Sequence, residues 1–318
     1  CIDRGVFEGE QALLPDQVGL VEMGGGGTSH GDQLRAANTC SQHHPVWPHG
    51  TAPSVGGVPI RIESADDPRV LDFVGLRDRP EADGCFIAET ELVVSRLLTS
   101  VFQVRAFLFT PKGHAKLHEQ VAATAAPVYV AERDVIEQIV GFDLHRGVLA
   151  SVQRRPTPVL ADVLATATRL LVIEGSNDLE NIGTVVRSAR GLGFHAVVLD
   201  PTCADPFARR SVRVSMGEIF HLPIVRTATW PQPLHEIRDA GFETWALTPD
   251  PAATSLFALP VPPRLALLAG AEGPGLTAVT RGAAHHQVRI PMHHGVDSLN
   301  LGHALAIAMA VASPPVEG

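Results

Sequence analysis

Residues 264–276, RLALLAGAEGPGL, decide how the rest of the chain is read. The segment is an apolar run of strand length that ends at Gly270 and passes at once into a glycine-rich turn, AEGPG. Residues 285–300, HHQVRIPMHHGVDSLN, hold a second short strand, expected over 288–291, that opens into a polar loop. That loop closes on Ser298, a good helix N-cap, and LGHALAIAMAVA (301–312) follows as an almost wholly apolar helix. Two bent loops leaving adjacent strands beside one helix N-terminus describe a small-molecule pocket built largely from backbone groups. Glu272, Ser298 and Asn300 are polar exceptions in this apolar setting. A buried polar group needs a partner or a task.

Working back from this stretch, residues 169–248 alternate strand and helix patterns. RLLVIEG is a strand, and Ser176 to Asp178 can cap a helix whose apolar face is Ile182, Val185, Val186 and Ala189. HAVVL is the next strand, so the unit is βαβ and should be parallel and right-handed. PFARRSVRVSMGEIF is expected as one helix, HLPIV as a strand, LHEIRDAGF as a helix and TWALT as a strand. The region is therefore expected to be an open, mostly parallel sheet with helices on both faces.

Residues 59–153 alternate in the same way: IRIES, CFIAE, VRAFLF, PVYVA and GVLASV as strands, with helices between. They predict a small α/β/α domain. Residues 154–168 are expected as a linker and a short helix. In Arg154-Arg155-Pro156-Thr157-Pro158 two prolines forbid regular pairing and two charges keep it wet, and the amphipathic ADVLATATR then leads into the second domain. Residues 1–58 contain GGGG, HHPVWPHG and APSVGG and no sustained period, so they are expected to be a disordered leader.

The formal net charge of −9 gives a nucleic-acid partner no global field. The leader holds six acids against two arginines, and the remainder is also acidic. RNA contact must therefore come from local arginines. Arg209, Arg210 and Arg213 form one such cluster, with Arg209 and Arg213 on one helical face. Arg146, with Arg105, Lys112, Lys116 and His145, forms a weaker basic face; a solvated surface is the plain alternative for both groups. Cys1, Cys40, Cys85 and Cys203 show no paired spacing and read as free thiols. No secretory leader pattern and no apolar run of membrane length is found, so a cytoplasmic protein is expected.

Three chemical readings are set aside on the residues themselves. Gly191-x-Gly193-x-x-Ala196 imitates a dinucleotide fingerprint, but a helix precedes it and a strand follows, which is the wrong polarity for a Rossmann dehydrogenase. There is no P-loop. His285-His286 and His293-His294 lack the ligand spacing of a metal site, as adjacent strand residues face opposite ways, and no metal is expected.

The remaining combination is specific: Asn181, Gly183 and Arg187 in the first helix; Gly270, Glu272, Gly273 and Gly275 in the turn; then Ile290-Pro291-Met292 leading to Ser298-Leu299-Asn300. By these three motifs the chain resembles the SpoU-type (TrmH-like) RNA ribose 2′-O-methyltransferases of the SPOUT superfamily over about residues 170–312. Residues 59–153 resemble the L30e-like RNA-binding domain that often precedes them. The resemblance implies a trefoil-knotted C-terminal domain over 169–318, S-adenosylmethionine as cofactor, RNA (rRNA or tRNA) as partner, and a homodimer with its active site at the subunit interface. It implies Arg187, Asn181, Glu272, Ser298 and Asn300 as catalytic residues. Leu268, Gly270, Gly275, Ile290, Pro291, Met292 and Leu299 would bind the cofactor. Arg209, Arg210, Arg213 and Arg146 would touch RNA. Two departures from the family pattern stand out, Leu179 in place of a proline and Gly302-His303 after the last motif; His303 is expected to pack as a core histidine. A non-catalytic RNA-binding protein that retains the fold, such as a ribosome-maturation factor, is the alternative.

Overall fold

A computed structural model describes residues 58–76, 84–144 and 146–313. The expectations for residues 1–57, including Cys1, Cys40 and the histidines at 43, 44 and 49, and for His145 lie outside the described residues. The described residues belong to one compact unit, and it holds two sheets.

The first sheet has five strands: β1 (Ile60–Arg61), β2 (Cys85–Glu89), β3 (Val104–Phe109), β4 (Val128–Val130) and β5 (Val148–Gln153), in the order β1-β4-β3-β5-β2. β1, β4 and β3 run parallel, whereas β5 is antiparallel to β3 and β2. Helices α1 (Glu91–Leu98), α2 (Pro111–Ala122) and α3 (Arg133–Val140) connect them. Between β1 and β2 lies a 3-10 turn, Pro68–Phe73, capped by Asp67.

The second sheet has seven strands, all parallel: β6 (Arg169–Glu174), β7 (Ala196–Leu199), β8 (Ile224–Arg226), β9 (Glu243–Leu247), β10 (Thr254–Ser255), β11 (Leu265–Gly270) and β12 (His286–Arg289). Their order is β10-β12-β9-β11-β6-β7-β8. β11 sits centrally, between β9 and β6, along its full length. α4 (Leu160–Thr166) leads into this sheet; α5 (Leu179–Gly191), α6 (Arg209–Val214), α7 (Gln232–Asp239), α8 (Ala278–Ala283) and α9 (Leu301–Ala312) follow. Period-two alternation on β11 divides its side chains between two cores. Leu265, Leu267 and Ala269 join the cluster beneath α5 and α9, whereas Ala266 and Leu268 join the cluster beneath α4 and α7. Burying both faces is what a central parallel strand requires, and the nearly continuous apolar run supplies it.

Two local expectations are corrected, and two short elements are new. The helix expected over PFARRSVRVSMGEIF stops at Val214, because Met216 (φ 54°) and Gly217 (φ 85°) enter the left-handed region. A 3-10 turn, Glu218–His221, follows. The strand expected over 288–291 is β12, two residues earlier, so Ile290 and Pro291 lie beyond the ladder. β10 and α8 had no counterpart in the sequence reading, since two residues of strand and six of helix give too few repeats to show a period.

The two sheets share one apolar cluster. Phe86 of β2 and Phe220 of the 3-10 turn stack at 6.0 Å between centroids, with Phe102 and Phe207 packed at 5.0–5.8 Å around Phe86. Arg154, read as part of a wet linker, instead pairs with Asp205 and donates its backbone N–H to Gly84 O. Among the described residues, no helix is long and apolar enough to cross a membrane.

Candidate active site

The turn after β11 begins with a close approach of backbone to backbone. Ala271 O accepts from Gly275 N at 3.0 Å, and a Cβ on Gly270 would fall 2.1 Å from the Gly275 carbonyl carbon. Only glycine fits at 270, for lack of space. This folded turn forms one wall of a cavity of about 520 Å³ at the C-terminal ends of β9, β11 and β12, where open parallel sheets place ligands. Gly270, Gly275, Ile290, Met292 and Leu299 line it, as do Glu272, Ser298 and Asn300.

Two residues expected at the cofactor are not in the lining. Leu268 is 1% exposed and points into the α4/α7 core, on the other face of β11. Pro291 belongs to the connecting loop but is not among the wall residues. The sequence reading missed Thr248 and Pro249, which close the cavity from the end of β9. The available signal was topological: TWALT ends at the same sheet edge as LALLAG, so its exit loop had to lie beside the glycine turn.

Asn181, Glu272 and Asn300, from three separate stretches, meet in one hydrogen-bonded set. Glu272 Oε1 accepts from Asn181 Nδ2 at 3.0 Å, from Asn300 Nδ2 at 2.6 Å and from the backbone N–H of Leu301 at 3.1 Å. Asn300 Nδ2 also donates to Asn181 Oδ1 at 3.0 Å. Asn300 Oδ1 accepts from Gly302 N and His303 N, so Asn300 is the N-cap of α9. The cap expectation for Ser298 is thereby corrected: Ser298 is an exposed loop residue on the cavity wall. The cap dictates the orientation of the Asn300 amide, because its oxygen must face two helix N–H groups and its NH2 then faces Glu272. Asp178 caps α5 in the same manner, accepting from Glu180 N and Asn181 N, which sets Asn181 in the first turn. Asn181 is 6% exposed, and both ends of its amide are used.

α5 is held close to its neighbours by small residues. A Cβ on Gly183 would meet Ser211 O of α6 at 2.7 Å, and one on Gly302 would meet Thr184 of α5 at 3.0 Å. Arg187, six residues beyond Asn181 and roughly 9 Å farther along the helix, is exposed and outside the cavity lining. Among the described residues it has no hydrogen bond or ion pair. His303 is exposed rather than packed in the core.

The arginine cluster has a different setting. Arg213 Nη1 meets Glu89 Oε1 of β2 at 2.8 Å, and Arg209 Nε lies 3.9 Å from Glu89 Oε2 with its guanidinium 4.2 Å over the Phe142 ring. Burial holds the Arg209 guanidinium below its ordinary value, against the pull of Glu89. Arg210 pairs with Glu180 on the surface. Arg146 is exposed. Among the described residues no group of three or more His, Cys, Asp or Glu could hold a metal. His285 is engaged by Thr244, and His286 by Glu243 at 3.2 Å.

Known proteins match this chain over the domain that holds the cavity. Residues 168–310 match the model of the SpoU rRNA methylase family. An uncharacterised tRNA/rRNA methyltransferase of Mycobacterium bovis is 44% identical over 76% of this chain and 88% of its own length. The 23S rRNA (guanosine-2′-O-)-methyltransferase RlmB of a Burkholderia species is 31% identical over 61% of this chain and 80% of its own. The crystal structure of an AdoMet-bound rRNA methyltransferase from Sinorhizobium meliloti superposes with a TM-score of 0.67 at 25% identity, covering 80% of this chain and 97% of that one. The chain belongs to the SpoU rRNA methylase family.

Proposed function

We propose that this protein methylates a ribose 2′-hydroxyl of structured ribosomal or transfer RNA, with S-adenosylmethionine as donor. Membership of the family makes it an RNA methyltransferase that uses this cofactor. The observation that carries the residue assignment is the Asn181–Glu272–Asn300 set. It ties the helix after β6, the turn after β11 and the cap of α9 into the rim of one cavity.

The cavity suits the donor. Its volume is in the range of small-molecule sites, and Val288, Ile290 and Leu299 offer an apolar bed. Glycine-rich backbone lies within reach, and the titratable groups on its wall are the acids Glu272 and Asp297, compatible with a cationic sulfonium. When bound, S-adenosylmethionine supplies an electrophilic methyl group. The residues of the chain then hold and align. Asn181 and Asn300 fix the carboxylate of Glu272, so the turn does not have to reorganise as charge moves. Ser298 presents a hydroxyl at the same rim. Arg187, as a guanidinium that does not deprotonate in proteins, orients the substrate hydroxyl and grips the neighbouring phosphate through its fork of donors. Since Arg187 lies outside the cavity of its own chain, the reading includes a homodimer whose interface completes the site. It also keeps the knotted threading and the L30e-like identity of the first sheet, with the exposed Arg146 and Arg210 as RNA-facing cations, whereas Arg209 and Arg213 are engaged by Glu89.

The test is transfer of tritium from methyl-labelled S-adenosylmethionine to total RNA, followed by mapping of resistant riboses. Labelled 2′-O-methyl positions are expected; label on a base, or none in any RNA, would sink the assignment.

A further inference from the structure

One buried carboxylate beside the cavity is not used by the mechanism above. Glu174 ends β6 and is 5% exposed. In the ladder it lies opposite Gly270, the residue at which the glycine turn leaves β11. Its side chain reaches the far end of the same turn. Oε2 accepts from the backbone N–H of Thr277 at 2.8 Å, and Oε1 accepts from the Thr277 hydroxyl at 2.8 Å. Oε1 also accepts from Thr280 Oγ1 and from Trp230 Nε1, each at 2.8 Å. All four donate to the carboxylate, and two of them, the N–H groups of Thr277 and Trp230, can do nothing else. The backbone of Glu174 therefore borders one limb of the 270–277 turn while its side chain anchors the other. Between the two anchors lie Gly270, Glu272 and Gly275, all on the cavity wall.

We propose that Glu174 is a positioning residue for the donor-binding turn: its carboxylate closes the base of the 270–277 loop and thereby determines how tightly the cofactor is held. The inference rests on the reading of the cavity as the S-adenosylmethionine site. Glutamine is nearly isosteric but cannot substitute. Its NH2 must face either the Thr277 N–H, which releases that limb, or the Trp230 N–H, with the two hydroxyls turned to accept. Each orientation sets one buried N–H against a donor and gives up the charge-assisted bonds that hold the turn.

The experiment is steady-state methyl transfer by Glu174→Gln with each substrate varied, beside its thermal unfolding. The KM for S-adenosylmethionine is expected to rise by about tenfold, the size of one lost charge-assisted hydrogen bond. The KM for RNA and kcat at saturating cofactor should stay within about twofold of wild type. Asp200→Asn is the control for loosening of the sheet edge. Asp200 is likewise a buried carboxylate at a neighbouring strand end, 4% exposed, but it accepts from Gly175 N, Thr202 Oγ1 and Cys203 N and not from the turn. Its cofactor KM should not move. An unchanged KM in Glu174→Gln, or an equal rise in Asp200→Asn, overturns the proposal. If Glu174→Gln does not fold, Thr277→Val decides, because it removes one of the two bonds to the turn; about a threefold rise in cofactor KM supports the proposal and no rise overturns it. Wild-type protein that fails to bind S-adenosylmethionine would overturn the functional reading, and this inference with it.

Discussion

Two polar clusters stand out in the sequence, and they are built differently. Asn181, Glu272 and Asn300 come from three distant stretches and converge on one carboxylate oxygen. Arg209, Arg210 and Arg213 come from one short helix and diverge, two towards Glu89 of the first sheet and one towards Glu180. A charge cluster on one element says little about what that element meets. A set of polar residues at three loop ends of a parallel sheet says more, because the topology leaves those loops one place to gather.

The largest expected effect is at Arg187, about two turns along the helix whose first turn carries Asn181 of the converging cluster. Arg187→Ala should reduce methyl transfer by about a thousandfold or more while leaving S-adenosylmethionine binding near wild type; unchanged turnover in a tritium-transfer assay would remove Arg187 from the mechanism. Gly270→Ala should abolish cofactor binding, as its Cβ has no room beside Gly275; normal affinity by equilibrium dialysis would contradict the close approach. Asn300→Ala loses the α9 cap and one partner of Glu272, and should cost about 1–2 kcal/mol in denaturant unfolding besides its loss of activity.

The diverging cluster sharpens the contrast. Arg213→Ala strips the buried Glu89 of its nearer cation and should cost about 1 kcal/mol of stability, an amount reduced because Arg213 is itself 49% exposed. Arg210→Ala, at an exposed pair, should leave stability alone and lower RNA affinity by a few-fold, with a salt slope shallower by about one. A stability loss at Arg210 together with none at Arg213 would reverse this division of labour.

The smallest effect concerns Cys203, whose thiol burial and Asp200 push up to about 12. Its folded-state pKa is raised, and the neutral form is the one favoured. Its contribution to stability is therefore complete below the ordinary thiol value near 8.5 and is lost as pH rises from there towards about 12. Native protein should not react at Cys203 with a thiol reagent at neutral pH; rapid labelling of the folded chain would contradict the burial.

Long repeats were legible and short ones were not. CFIAE and VRAFLF are strands with the expected bounds, because runs of five or six mostly apolar residues are strand length and too short for a buried helix. Position 298 misled since serine is as good a cap as asparagine by type, and the choice between Ser298 and Asn300 lies in Glu272, a partner brought from the other loop. Leu268 misled because it lies only two residues before Gly270, yet its side chain packs into the α4/α7 core; Ala269, on the alternate face of the strand, lines the cavity instead.

The linear order of residues alone determined the alternating α/β architecture, the parallel sheet around LALLAG and the three motifs that mark the family. Those depend on local period and on glycine, which act within a few residues. Only the tertiary structure decided which residue caps α9, that the two sheets close over a shared phenylalanine cluster, and that Glu174 reaches across to Thr277. A hydrogen bond between groups about a hundred residues apart is a matter of a few ångströms in space, and local preference carries no record of that distance.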